Sequence, residues 1–509
     1  MSQNTLYAHL SRRFLKTPDA PALLDGKGVV MTYADVHRRS GHFAATLQSL
    51  GVKPGDRVAV QVEKSIEALM VYLGVVRAGA VFLPLNTAYT PAELGYFLGD
   101  AEPAAVLCSP DKVEEISTVA QSVGVPRVET LGVAGDGSFT EAVSAAGETF
   151  TDVARGDDDL AAILYTSGTT GRSKGAMLTH GNLASNAAAL AETWKFTAQD
   201  RLLHALPIYH THGLFTASNT LFTAGGSMIF LPRFNAGEVL PLLKDATSMM
   251  GVPTFYYRML QEKALTRELV KHIRLFVSGS APLSPEVHSE FLKRTGHAIL
   301  ERYGMTETSM ITSNPYDGER RAGTVGFPLP GIEVRIADPK TGKALPDGEV
   351  GVIEVRGPNV FKGYWRQPEK TREEFRSDGF FITGDLGMVD TKGYINIVGR
   401  AKDLIISGGF NVYPAEVEAA IDAIPGVAES AVIGLPHPDF GEGVTAVVAR
   451  SGDGDGLSEA AIIDHLKDEL AKFKQPKRVF FVDALPRNSM GKIQKKDLRE
   501  QYRETYTDK

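Results

Sequence analysis

The stretch Thr166-Ser-Gly-Thr-Thr-Gly-Arg-Ser-Lys-Gly175 gathers glycines, hydroxyl side chains and two cations into one short segment. Glycines let a backbone approach an anion closely, and successive N–H groups with Ser and Thr hydroxyls then cradle phosphate oxygens. Lys174 adds charge-assisted hydrogen bonds to such an anion. The spacing is not the Gly-x-x-x-x-Gly-Lys-[Ser/Thr] of a Walker A loop. A flexible surface loop has a similar composition. The segment alone therefore points to a nucleotide phosphate without saying what is done to it.

The elements that would hold this loop are legible around it. Leu160–Leu164 reads as a buried strand feeding the loop. Upstream, residues 33–50 carry apolar residues at helical spacing and stop at Gly51, and residues 56–61 read as a short strand. Residues 66–78 are again helical and residues 81–85 strand-like. Such alternation argues for α/β sheets, largely parallel and covered by helices. Residues 123–159 read as a less regular connection, after which strands are expected at 202–207, 227–232 and 274–279. From Gly326 to Val398, short runs punctuated by Gly and Pro suggest a β-rich subdomain. A charged break at Gly399-Arg-Ala-Lys-Asp403 precedes a small α+β pattern ending in a basic helix. The expected domains are therefore 1–399 and 400–509.

Composition narrows the class of partner. A chain of 509 residues exceeds one core, so several domains are expected. A net charge of −7, with no basic run interleaved with aromatics, disfavours nucleic acid. No window approaches ~18 consecutive apolar residues, so no membrane span is expected. The single cysteine, Cys108, fits a reducing compartment, and the N-terminus lacks a charged-then-apolar leader pattern. The expectation is a cytoplasmic protein.

Four further stretches follow the loop: Tyr303-Gly-Met-Thr-Glu-Thr308, Thr383-Gly-Asp385, Gly399-Arg-Ala-Lys-Asp403 and Pro486-Arg-Asn-Ser-Met-Gly-Lys492. In this order and spacing, and over almost the full chain, they resemble the adenylate-forming superfamily of acyl-CoA synthetases, luciferases and peptide-synthetase adenylation domains. The resemblance implies a large N-terminal domain, a small mobile C-terminal domain, and activation of a carboxylate with ATP, Mg²⁺ and coenzyme A. Developing negative charge at the α-phosphate then needs stabilisation. It implies that Thr166, Ser167, Gly168, Thr169, Thr170, Gly171 and Lys174 hold phosphates, that Thr306 contacts the α-phosphate, and that Glu307 binds the metal. Tyr303 would stack on adenine, while Asp385 and Arg400 would read the ribose. Lys492 would bridge carboxylate and α-phosphate, Lys402 would mark the hinge, and Gly408 and Gly409 would line the path of the coenzyme A arm. Related bacterial ligases are acetylated on the lysine matching Lys492, which makes a protein acetyltransferase a candidate partner.

The acid is read from three further segments. Ile208-Tyr-His-Thr-His-Gly213 puts His210 and His212 on one side if the chain is extended there. No third ligand accompanies them, so a zinc site is disfavoured. Val252-Pro-Thr-Phe-Tyr-Tyr-Arg258 would begin a helix beside the acyl pocket, with Arg258 as counter-ion for a second carboxylate. Ser278-Gly-Ser-Ala-Pro282 would form the pocket floor, with Ser280 as donor; it is not a Gly-x-Ser-x-Gly hydrolase elbow. Leu206-Pro-Ile-Tyr-His-Thr-His-Gly-Leu-Phe215, Val252-Pro-Thr-Phe-Tyr256 and Glu301-Arg-Tyr-Gly-Met-Thr-Glu-Thr308 together look like the corresponding segments of bacterial malonyl-CoA synthetases. That resemblance implies malonate as the acid, with methylmalonate as an alternative, and a short- or medium-chain fatty or aryl acid ligase as the rival reading.

Overall fold

The computed structural model describes residues 5–145, 150–166, 173–452, 456–488 and 491–506. The chain forms two compact units. One comprises residues 1–322, 326–333 and 355–381; the other comprises 323–325, 334–354 and 382–509.

In the first unit, the apolar runs become strands because they are buried on both faces. Arg57–Gln61, Val81–Pro84 and Leu160–Thr166 belong to one seven-stranded sheet. The helices between them have local causes. Thr32 and Asp35 form a capping box for Tyr33–Ser49, and the chain leaves that helix through Gly51 at φ +91°. The helix Ile66–Arg77 is buried nearly all round, as its continuous apolar sequence requires. Leu160–Thr166 pairs antiparallel with Lys174–Thr179, Thr166 lying opposite Lys174. The two ends of the glycine-rich segment, Thr166 and Lys174, thus lie on paired antiparallel strands.

A nine-stranded sheet carries the other half of this unit. Arg201–His204, Ser248–Gly251 and Leu275–Ser278 run parallel side by side, with Met249 opposite Leu203 and Gly251 opposite Ser278. Ser278 in turn faces Glu301 at the start of Leu300–Met305. This register brings His204, Gly251, Ser278 and Arg302 to one sheet end, the carboxyl end of parallel strands where ligands gather.

The second unit holds a four-stranded sheet that includes Phe381–Val389 and Ile395–Arg400, and a five-stranded sheet whose Val427–His437 and Gly441–Arg450 pair antiparallel. It ends in the helix Lys495–Gln501. The expected α/β class holds, and so do the expected strands and helices to within a few residues. The connection at 123–159 is more regular than expected, containing the strand Val128–Thr130 and the helix Ser138–Ala145. Residues 334–354 and 382–399 pack with the C-terminal residues by contact. The expected division at 399/400 is taken up below. No helix among the described residues is long and apolar enough to cross a membrane.

Candidate functional site

Two clusters of buried polar groups occupy the first unit. One surrounds Lys174. Its ammonium lies 2.8 Å from Glu374 Oε1 and 4.0 Å from the centre of the Tyr364 ring. Tyr364 reaches this place because Gly363–Tyr364 pairs with the strand Lys174–Thr179, Tyr364 opposite Ala176. The Tyr364 hydroxyl then lies 2.7 Å from Glu374 Oε2 and 3.1 Å from Glu307 Oε1. Thr166 Oγ1 donates to the same Glu307 oxygen at 3.3 Å.

Glu307 sits in the turn joining Leu300–Met305 to Ser309–Ser313, beside Thr306, and is buried. Burial and the neighbouring Glu374 push its carboxyl up from the usual range, against the Tyr364 hydrogen bond. A buried carboxylate held by the Tyr364 and Thr166 hydroxyls, with the Lys174 charge close by, suits a hard ion such as Mg²⁺, which takes one or two protein carboxylates and completes its shell from phosphates and water. Tyr303 is buried two residues before the turn. Ser167, Gly168, Thr169, Thr170 and Gly171 lie outside the described residues.

The second cluster is cationic. Arg302 is 4 % exposed, and its Nε and Nη2 have no hydrogen-bond partner. Burial pushes its guanidinium down from the usual arginine range. Its guanidinium lies on the backbone of Gly279, where a Cβ would stand 2.3 Å from Arg302 Cζ. Next along, Ser280 adopts φ +74°, a strained conformation for a residue with a side chain, and its hydroxyl lies 3.1 Å from His212 Nδ1. His212 Nε2 is buried without a partner, and burial followed by the nearby Arg302 charge holds the ring well below the usual imidazole range.

Beneath His212, Lys64 Nζ lies 3.0 Å from His204 Nδ1, donates to the His204 carbonyl at 2.8 Å, and sits 4.2 Å above the Phe230 ring. His204 Nε2 meets the Gly213 carbonyl at 2.8 Å. Among the described residues, no carboxylate forms an ion pair with Lys64 or Arg302.

The histidine segment is not extended. Thr211 is helical and a π-helical turn runs His212–Ser218, so the two rings do not project as an alternating pair. Instead His210 Nδ1 accepts from the His212 N–H at 3.4 Å. Arg258 lies on the helix Pro253–Gln261, whose inward face is taken by Tyr256 and Met259, and is exposed.

In the second unit, Asp385 and Arg400 are directly opposed on neighbouring strands, 3.3 Å apart. Asp385 is buried and Arg400 half-exposed. Lys402 is exposed in a short turn after Arg400, held below the usual lysine range by partial burial and the Arg400 charge. Gly408 and Gly409, at φ +60° and +83°, form the two-residue turn joining Ile405–Ser407 to Phe410–Val412, a conformation that favours glycine at both places. Lys492 is half-buried, with its N–H donating to Asn488 Oδ1 at 3.0 Å.

Sequence reasoning passed over Arg302, Tyr364, Glu374, Lys64 and His204. Arg302 had a signal, the adjacent charges Glu301 and Arg302 at the buried start of a short strand. The Lys64–His204 pair, 140 residues apart, had none.

Comparison with known proteins agrees with this layout. The AMP-binding enzyme family matches residues 10–365, and the AMP-binding enzyme C-terminal domain matches residues 416–492. The structure superposes on ATP-bound MatB from Rhodopseudomonas palustris with a TM-score of 0.97 at 59% identity, covering 100% of both chains. A malonate–CoA ligase of Arabidopsis thaliana is 36% identical over 89% of this chain and 79% of its own. A feruloyl-CoA synthase of Amycolatopsis sp is 37% identical over 96% of this chain and 98% of its own.

Proposed function

Because this chain belongs to the AMP-binding enzyme family and is an ATP-dependent acyl-CoA ligase, we propose that the acid it activates is malonate. One malonate carboxylate oxygen attacks the α-phosphate of ATP, pyrophosphate leaves, and the acyl-adenylate passes its acyl group to the thiol of coenzyme A with release of AMP. The observation that carries this reading is Arg302: a buried guanidinium without a counter-charge. Stranding a cation in this way is costly unless a ligand supplies the anion. Malonate keeps one carboxylate free, and a guanidinium can bind it through two parallel bonds. Ser280 and His212 Nε2 supply further polar contacts, with His210 beside them and Arg258 at the outer edge.

Around the nucleotide, Lys174 and the 166–171 segment hold the phosphates, Thr306 faces the α-phosphate, and Tyr303 packs on adenine. Asp385 and Arg400 take the ribose. Glu307 would hold Mg²⁺, which when bound neutralises developing charge on the phosphates. Lys492 serves the adenylation step. Residues 400–509 move as a body about Lys402 between the two half-reactions, carrying Gly408 and Gly409 toward the coenzyme A arm. Methylmalonate fits the same scheme with one added methyl.

A monocarboxylic acid, the alternative raised by the feruloyl-CoA synthase likeness, would leave Arg302 buried and unpaired. The test is acid-dependent exchange of labelled pyrophosphate into ATP across malonate, methylmalonate, propionate, hexanoate and ferulate. Strong exchange with malonate is expected; preference for a monoacid would overturn the assignment.

A further inference from the structure

The phosphate-end lysine is already engaged. Lys174 is 9% exposed at its side chain, and its ammonium makes an ion pair with Glu374 at 2.8 Å. Glu374 is shared: the same Oε1 lies 3.4 Å from Lys370 Nζ, while Oε2 meets the Tyr364 hydroxyl at 2.7 Å. Lys370 is itself only partly committed, with Glu373 at 3.0 Å and its side chain 30% exposed.

Resting on the nucleotide reading above, we propose that Glu374 is a positioning residue that stands in for phosphate in the free enzyme and hands Lys174 to the nucleotide by partner exchange. A buried ammonium left alone would be costly, so the free chain needs an anion at this spot. A phosphate reaching Lys174 competes with that anion directly. The exchange is not blocked, because Glu374 keeps Tyr364 and Lys370 when Lys174 leaves and is never stranded. The Tyr364 ring, stacked under Lys174, holds the ammonium near the loop in both pairings.

This arrangement predicts an effect opposite to that of a residue that binds nucleotide. Glu374→Gln removes the competing charge, so ATP measured by calorimetry without acid should bind about fivefold more tightly, the size expected for a part-buried ion pair. The free variant should melt lower than wild type, with a larger rise on adding ATP. Lys370→Met removes the partner that receives Glu374, so ATP should bind about threefold more weakly. The double variant should match Glu374→Gln, since Lys370 matters only through Glu374. Unchanged or weaker ATP binding by Glu374→Gln would overturn the exchange, as would a Lys370→Met effect that persists in the double variant. If Glu374→Gln does not fold, the Lys370→Met affinity decides alone. Wild type that binds no ATP would instead overturn the nucleotide reading itself.

Discussion

The two clusters in the first unit are built on opposite electrostatic plans. Around Lys174 the charges are matched: ammonium against carboxylate, carboxylate against hydroxyl, with Tyr364 linking Glu307 to Glu374. Around Arg302 they are not. Arg302 and Lys64 are buried and, among the described residues, neither forms an ion pair with a carboxylate, and the rings of His204 and His212 are held neutral by burial. A matched cluster keeps its geometry before its ligand arrives and accepts the ligand by exchange. An unmatched one is destabilised until a ligand supplies the missing charge. On the proposed reading the matched cluster serves the nucleotide and the unmatched one serves the acid.

Breaking the matched end should hurt every acid alike. Glu307→Ala removes the carboxylate proposed to hold Mg²⁺ and should lower adenylation by about 10³-fold for malonate and propionate equally. A selective loss would place Glu307 in acid recognition instead. Breaking the unmatched end should be selective. Arg302→Met should lower kcat/KM for malonate by about 10²-fold while changing propionate less than about fivefold, at ~1.4 kcal/mol per factor of ten. The variant should also melt no lower than wild type, because the lost charge was unpaired.

The sign of that stability effect follows from the direction of the shift. Burial lowers Arg302 from the usual arginine range. The folded state therefore carries the penalty of a buried charge wherever the guanidinium is protonated, which includes neutral pH. Thermal melts of both proteins at pH 7 check it. The smallest effect expected here is that of Gly279→Ala. Its methyl would meet Arg302 Cζ and displace the guanidinium without removing it, lowering malonate kcat/KM by about tenfold.

The sheet framework was readable where a buried strand is an uninterrupted apolar run, as at Val81–Pro84, and where a helix has a cap or a glycine stop, as at Thr32 and Gly51. The nucleotide end was readable as far as contiguous segments carry it: Thr166 with Lys174, and Thr306 with Glu307. Tyr364 and Glu374 were missed because they reach Lys174 only through strand pairing across nearly two hundred residues. At the acid end, Arg258 drew attention as the cation of the helix, but Tyr256 and Met259 claim the inward face and leave it exposed. Arg302 lay inside the quoted Glu301-Arg-Tyr-Gly segment. Its role rests on Gly279, which becomes its neighbour only when Leu275–Ser278 and Leu300–Met305 align. Periodicity gives elements; it does not give which buried charge lacks a partner.

The measurement that bears most directly on the unmatched charge is kcat/KM for malonate relative to propionate in wild type, Arg302→Lys and Arg302→Met. The ratio should be highest in wild type, lower in Arg302→Lys, which keeps a charge but not two parallel bonds, and lower by about 10²-fold in Arg302→Met. A ratio in Arg302→Met equal to that of wild type would contradict the assignment of the second carboxylate to Arg302.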